Sequence, residues 1–462
     1  MKTKYLLAII GLFFFQSTAF SQTHIWTGVG GDNNWFNLDN WNSGTVPSTD
    51  SDVLIPNGFI VEISGESANA NSITINGIST LNIQNDLSLP GFMSITAGSN
   101  INWFGGTING GGIIENNGLM HLESFEDKKL INSTIENNGL IYILNSNMIR
   151  LSGGCLINNN ETGIIDILSN GGIMHDEPGN TMNNMGIIRK LSDGSGNLGS
   201  FFMIFDLNNA GIIEIEENQQ FLFLGGDFTL NNLETGILQG FGTFDITTNF
   251  TNVGTFSPGN GGNTGALSVF NNFSLTPQAI LEFDIAGTLP GEYDVIDVAG
   301  FPDLEGNIIV NLAFAPELGD EFPIITANEI MSCDFPQFIS AQFSGFDYTF
   351  KISCNSTSLI IEVVDIILGT ENNPAENTDF YIQPNPVKSF AHIIFDAPGN
   401  LINPNQVLSL HVFNSNGLEV KSIGNLTQEN FRFHKGNLSA GIYILQINSR
   451  NIVLATTKVI IE

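Results

Sequence analysis

Residues 113–122 read Ile-Ile-Glu-Asn-Asn-Gly-Leu-Met-His-Leu, and residues 134–143 read Thr-Ile-Glu-Asn-Asn-Gly-Leu-Ile-Tyr-Ile. The phrase is a polar turn with a glycine, then aliphatics separated by one polar residue. Between Gly106 and Pro258 it returns at Gly118, Gly139, Gly163, Gly186, Gly211, Gly236 and Gly254, at spacings of 21, 24, 23, 25, 25 and 18 residues. A recurrence of this period marks a repeat architecture with one coil of chain per copy.

Two residues before each glycine stand Asn116, Asn137, Glu161, Asn184, Asn209, Glu234 and Asn252. Asn and Gly enter the left-handed backbone region most cheaply, so the chain is expected to turn there. Two residues after each glycine come Met120, Ile141, Ile165, Ile188, Ile213, Leu238 and Phe256, with Leu122, Ile143, Ile167 and Ile215 two further on. That is strand period, with one apolar face turned inward. An apolar stripe at helical spacing is missing, which disfavours helical and leucine-rich repeats. The expected fold is all-β: a right-handed parallel β-helix over residues 106–258. Asparagines in matching places of successive coils can stack and bond amide to amide along its axis.

Fourteen Lys and Arg stand against 46 Asp and Glu, a net charge of -32. This balance argues against nucleic acid and anionic membrane as partners. With only 13% charged residues, 50 glycines and 36 phenylalanines, the composition is that of a β-rich extracellular protein and not of a disordered acidic chain. Residues 1–21 read as a secretory signal peptide: Lys2 and Lys4 precede the apolar run from Tyr5 to Phe15, and Ala19-Phe20-Ser21 offers a cleavage site before Gln22. No later run suggests a transmembrane segment. Cys333 and Cys354 form a candidate disulfide, and Cys155 reads as a buried small residue. No Cys or His spacing suggests zinc, and neither a metal nor a cofactor is expected.

Residues 22–105 read as an N-terminal cap followed by the first, irregular β coils. Trp26, Trp35 and Trp41 either stack on sugars or close the open end of the solenoid, and closure is preferred. With Asn40, Pro47 and Pro56 they resemble the opening segment of secreted β-helical adhesin-like proteins. Residues 259–366 read as a C-terminal β region and cap. Ser257-Pro258-Gly259-Asn260 resembles the turn before the last coils of autotransporter-like passenger domains, which implies a displayed or released passenger and no particular chemistry. Asp284, Asp294 and Asp297 are candidates for calcium, but outward alternation on strands explains them as well.

The third residue after each glycine should point outward, which places His121, Tyr142, Asp166, Arg189, Glu214 and Gln239 in one column, stepped by about 4.8 Å per coil. This column is the candidate binding site. Carbohydrate-active β-helices, which the chain resembles in its repeats, place catalysis on such an outer face. Asp166, Arg189 and Glu214 could act as a cation between two carboxylates, or form a solvated charge ladder. Glu115 and Glu136, read as corner residues, are a second acidic pair with the spacing logic of a glycosidase. His175-Asp176-Glu177 is richer in titratable groups but precedes Pro178-Gly179-Asn180, which reads as an insertion loop between coils. Lys128, Lys129, Arg150, Arg189 and Lys190 are the only cations between Gly106 and Pro258, few for holding an acidic polymer.

After a polar linker at 367–379, three motifs follow: Tyr381-Ile382-Gln383-Pro384-Asn385-Pro386, the run Leu410 to Val420 with Asn416-Gly417 as a hairpin turn, and Leu438 to Ile447 with Gly441 and Tyr443. Lys458-Val459-Ile460-Ile461 closes the pattern. Residues 380–462 thereby resemble the type A sorting domain of the type IX secretion system. The resemblance implies a small immunoglobulin-like β-sandwich, an origin in Bacteroidota, the secretion machinery as partner, and a secreted or cell-surface location reached through the periplasm. Pro384, Asn385, Pro386, Gly417, Gly441, Tyr443 and Lys458 carry the motif. The expected function is that of a non-enzymatic adhesin-like protein binding glycans or surfaces. A polysaccharide lyase or glycoside hydrolase using the outward column is the alternative, and a passive stalk is a third reading.

Overall fold

The computed structural model describes residues 22–144, 148–271, 273, 275–368, 380–395, 408–414, 418–426, 430–449 and 452–462. The expected signal peptide at 1–21, most of the linker at 367–379, and Gly417 lie outside them. The chain divides into two compact units, Met1–Ile367 and Leu368–Glu462.

In the first unit each coil passes once through each of three long sheets. A typical coil runs Ile113–Asn116 in the first sheet, Leu119–Leu122 in the third and Lys128–Ile131 in the second. Successive coils pair parallel and in register, Ile114 on Ile135 and Met120 on Ile141. The first sheet holds 11 strands, from Gln22–Ile25 to Asn249–Asn252. Because strand side chains alternate, the inward positions form one continuous core; Met120, Ile141, Ile165, Ile188, Ile213, Leu238 and Phe256 are all buried. This is the expected parallel β-helix.

The corners differ from expectation. None of the seven anchoring glycines has a left-handed φ, and the asparagines before them end strands instead of turning them. What excludes a side chain at Gly211 is the neighbouring coil: a Cβ there would sit 2.1 Å from the carbonyl oxygen of Gly186. The corner needs glycine so that coils can approach, since Gly186 O accepts from Ile212 N.

The asparagines form a buried ladder. Asn116 Nδ2 donates to Asn137 Oδ1 at 2.7 Å, Asn137 to Asn159, Asn159 to Asn184, Asn184 to Asn209, Asn209 to Asn232, and Asn232 to Asn252. Each of the six donating amides also reaches a corner carbonyl, as Asn116 does to Leu140 O at 3.2 Å. Coil-to-coil amide stacking is therefore as expected, but two rungs are not. Glu161 and Glu234 are exposed, and their coils use Asn159 and Asn232, because two extra residues widen those corners.

The early coils are regular. Ile55, Ile75 and Ile95 occupy the rung below Asn116, and there the corner is closed by hydroxyls, Ser99 Oγ donating to Thr96 O and Ile75 O. The sheets run without interruption through residues 105 and 258. At the N-terminal end Trp26, Trp35 and Trp41 are buried edge to face, with centroids 4.9 Å apart for both pairs involving Trp41. They present no open face for a sugar. At the other end Glu321–Ala327 and Ser358–Leu368 pair antiparallel, and the hairpin Phe338–Phe343 with Phe346–Cys354 extends the second sheet. A disulfide joins Cys333 to Cys354, and Cys155 is buried.

The second unit contains a three-stranded and a four-stranded antiparallel sheet. Ile382, Ala391, Ile393 and Phe433 from one share a core with Leu410, Val412, Leu445, Ile447 and Val459 from the other, the arrangement of a small β-sandwich.

Asn184→Ala removes the acceptor of Asn159 and the donor to Asn209 inside the core, and should destabilise the solenoid by about 2–3 kcal/mol in urea unfolding. Asn183→Ala, in a half-buried outer ladder, should cost under about 1 kcal/mol. Equal effects would show that the inner amides are not what locks the coils.

Candidate functional site

The six expected column residues are brought together on the outer face of the third sheet. Register pairs them in sequence: His121 with Tyr142, Tyr142 with Asp166, Asp166 with Arg189, Arg189 with Glu214, and Glu214 with Gln239. Asn82 and Asn102 extend the column toward the N-terminal end, Asn102 Nδ2 donating to Asn82 Oδ1 at 2.9 Å. The rings of His121 and Tyr142 meet edge to face at 5.6 Å.

The carboxylates are engaged. Arg189 grips Asp166 through two parallel bonds, Nε to Oδ1 at 2.7 Å and a terminal nitrogen to Oδ2 at 2.9 Å. Contrary to expectation Asp166 does not project into solvent; it is 3% exposed, covered within the column, whereas the Arg189 side chain is 33% exposed. The bond to Asp166 raises the Arg189 guanidinium above its ordinary value, so Arg189 stays charged. Glu214 accepts from Gln239 at 3.1 Å and from Asn260 at 2.9 Å. The column is thus a network of paired groups, with its aromatic members at one end and its charges in the middle.

The other sequence candidates are placed elsewhere. Glu115 and Glu136 pair across the first sheet, on strands and not at corners, and Glu136 accepts from Asn158 and Asn160. His175 ends the strand Gly172–His175, and the turn follows from Asp176. Asp176 is bound by Lys129 at 2.7 Å and by Arg150 at 3.1 Å, and Arg150 also holds Asp127. Asp294 is buried and accepts the backbone N–H groups of Gly265 and Asp284; burial pushes its carboxyl up to about 7. Asp297 accepts from Thr326 and Asp284 from Asn311. Among the described residues no group of three His, Cys, Asp or Glu is placed to hold a metal.

Two features escaped the sequence reading. The residue directly after each glycine also faces outward, which sets Leu119, Leu140, Ile164, Ile187, Ile212 and Ile237 in a half-buried aliphatic stripe beside the column. Its signal was present at the first position after each glycine. The second feature is that Lys128 and Lys190 point into the solenoid and are fully buried. Lys128 Nζ donates to Ser124 O and Glu126 O, and Lys190 Nζ to Leu191 O and Gln219 Oε1. Burial lowers both to about 8. A groove in the C-terminal cap, about 720 Å³, has Asp347 as the one carboxylate in its lining, held by Gln342 at 2.6 Å.

In the second unit the motif residues act on one another. Asn385 Oδ1 accepts from Ile460 N at 2.8 Å and its Nδ2 donates to Lys458 O, so the Pro384-Asn385-Pro386 turn clamps the last strand. Tyr443 Oη donates to Ser439 O at 2.9 Å, closing the bend before Gly441.

Residues 381–462 match the family of secretion system C-terminal sorting domains. No curated protein matches the sequence. The chain therefore joins a β-helix to a type IX sorting domain, which implies contact with that secretion machinery and export to the cell surface or the medium. No helix among the described residues is long and apolar enough to cross a membrane.

Two predictions follow from the buried charges. Arg189→Ala strands Asp166 without its partner and should destabilise the solenoid by roughly 3 kcal/mol, while Asp166→Asn in the same background should restore part of that loss. For the lysines, a folded value near 8 lies below the ordinary 10.5, so between those two pH values the unfolded chain holds protons that the folded chain has released. Stability should rise with pH across that window relative to a Lys128→Met/Lys190→Met variant. Parallel stability curves for the two proteins would show that burial does not burden these lysines.

Proposed function

We propose that this is an adhesin-like protein, secreted or held at the cell surface, that binds glycans or neighbouring surfaces along the outer face of the third sheet and performs no catalysis. The observation that carries the reading is the state of Asp166 and Glu214, the carboxylates central to the column. Both oxygens of each are occupied, by Arg189 in one case and by Gln239 and Asn260 in the other. A general acid or nucleophile needs a carboxyl that faces its substrate within hydrogen-bond reach, and these face their neighbours instead.

The same face suits adhesion. Tyr142 and His121 offer ring edges beside the aliphatic stripe, with Asn82 and Asn102 alongside as donors and acceptors. Apolar body with dispersed polar groups is the pattern that holds a sugar ring. Cations able to hold an acidic polymer are scarce: Lys128 and Lys190 are buried, while Lys129, Arg150 and Arg189 are bound to Asp176, Asp127 and Asp166. The ligand is accordingly a neutral glycan or a surface presenting one. Residues 1–21 act as the signal that brings the chain into the periplasm before the sorting domain acts.

The deciding assay incubates the purified protein with neutral and acidic polysaccharides and measures both reducing-end or unsaturated product and retained protein. Expected are no product, retention on a neutral polymer, and at least tenfold weaker retention for Tyr142→Ala. Product release abolished by Asp166→Asn and by Arg189→Ala would overturn the reading in favour of a lyase or hydrolase.

A further inference from the structure

The three-stranded sheet of the second unit turns Ile382, Ala391, Ile393 and Phe433 inward. Strand alternation therefore sends Gln383, Phe390, His392, Arg432 and His434 to its outer face, and all five are exposed. Register places Phe390 opposite His434 and His392 opposite both Arg432 and Gln383. The Arg432 guanidinium lies 4.4 Å from the centroid of Phe390, whose ring meets His434 at 5.9 Å and His392 at 6.1 Å. Four side chains thus form one stacked, cation-bearing patch. The ion pairs described in this unit join Lys388 to Glu462 and His411 to Glu419, and neither uses Arg432.

Charge sets this unit apart. Residues 380–462 hold six Lys and Arg against four Asp and Glu, whereas residues 22–367 hold six against 39. The composition of the patch is that of a binding hot spot, where Arg and aromatic residues supply most of the energy and preordering by stacking reduces the entropy lost on docking.

We infer that this outer face, centred on Arg432 and Phe390, is the surface by which the sorting domain docks on the export machinery, and that the complementary surface there is an acidic protein patch. An acidic receptor attracts this face and repels the solenoid, so it selects the tail of a chain whose bulk it rejects. The stacked rings fix the guanidinium in place for bidentate bonds to receptor carboxylates.

The test expresses the full chain in a bacterium with a type IX system and measures the exported and periplasmic fractions. Arg432→Glu and His392→Glu should each lower export at least tenfold and leave protein in the periplasm, while Arg432→Lys stays within about threefold of the parent. Thermal melting of each purified variant reports folding. Should Arg432→Glu melt early, His392→Glu decides, since His392 meets the stack only at the Phe390 ring, 6.1 Å away. Export of either folded charge-reversal variant at the parent level overturns the inference. So does binding of the parent to phosphatidylglycerol vesicles that Arg432→Glu abolishes, because the face would then be a lipid site.

Discussion

Coil-to-coil contact at the corners is what the solenoid depends on. Each of the seven repeat glycines stands against a carbonyl oxygen of the coil before it, so close that a single Cβ would force the coils apart. That approach leaves strand-end polar groups in a space closed to water, and an unpaired polar group there is expensive. The buried asparagines resolve this. From Asn116 to Asn232 each amide bonds to the next amide and to a corner carbonyl, so the polarity of these corners is met along the axis, and only the last rung, Asn252, keeps a buried amide nitrogen without a partner among the described residues.

The three sheets follow from that constraint. With corner height fixed, strands above and below fall into register, the aliphatic and phenylalanine positions stack inward, and the outward positions become columns. A column is therefore a consequence of the stacking before it is a site. That is why Asp166 is buried: at strand spacing the neighbouring Arg189 reaches back over it and covers it. Outward direction on a solenoid gives adjacency without giving access.

The period of the glycine phrase was enough to read a parallel β-helix, its inward positions and the column itself. The rungs at Asn159 and Asn232 were misread because counting from glycine assumes a constant corner, and Asn160-Glu161-Thr162 and Leu233-Glu234-Thr235 lengthen it. The regular coils before Gly106 were hidden for a different reason: their rung is isoleucine, indistinguishable from ordinary core, and serine hydroxyls do the work of the amides. Pairing of Asp166 with Arg189 could be anticipated from spacing, but the covering of the carboxylate could not, since burial depends on side-chain conformation. The tail was more legible. Its motif residues are consecutive in sequence, although the reason for them, Asn385 holding Ile460 and Lys458, spans the domain.

The two asparagine ladders have opposite senses. In the buried one each amide nitrogen points to the later coil, while in the outer one Asn183, Asn208 and Asn231 each point back to the earlier coil. A rung can thus be matched only by another whole coil in the same orientation. The length of such a molecule is quantised: a lineage could lengthen or shorten the rod by complete turns and keep both ladders continuous, whereas a change of one or two residues has to be absorbed in a corner, as it is at Glu161 and Glu234.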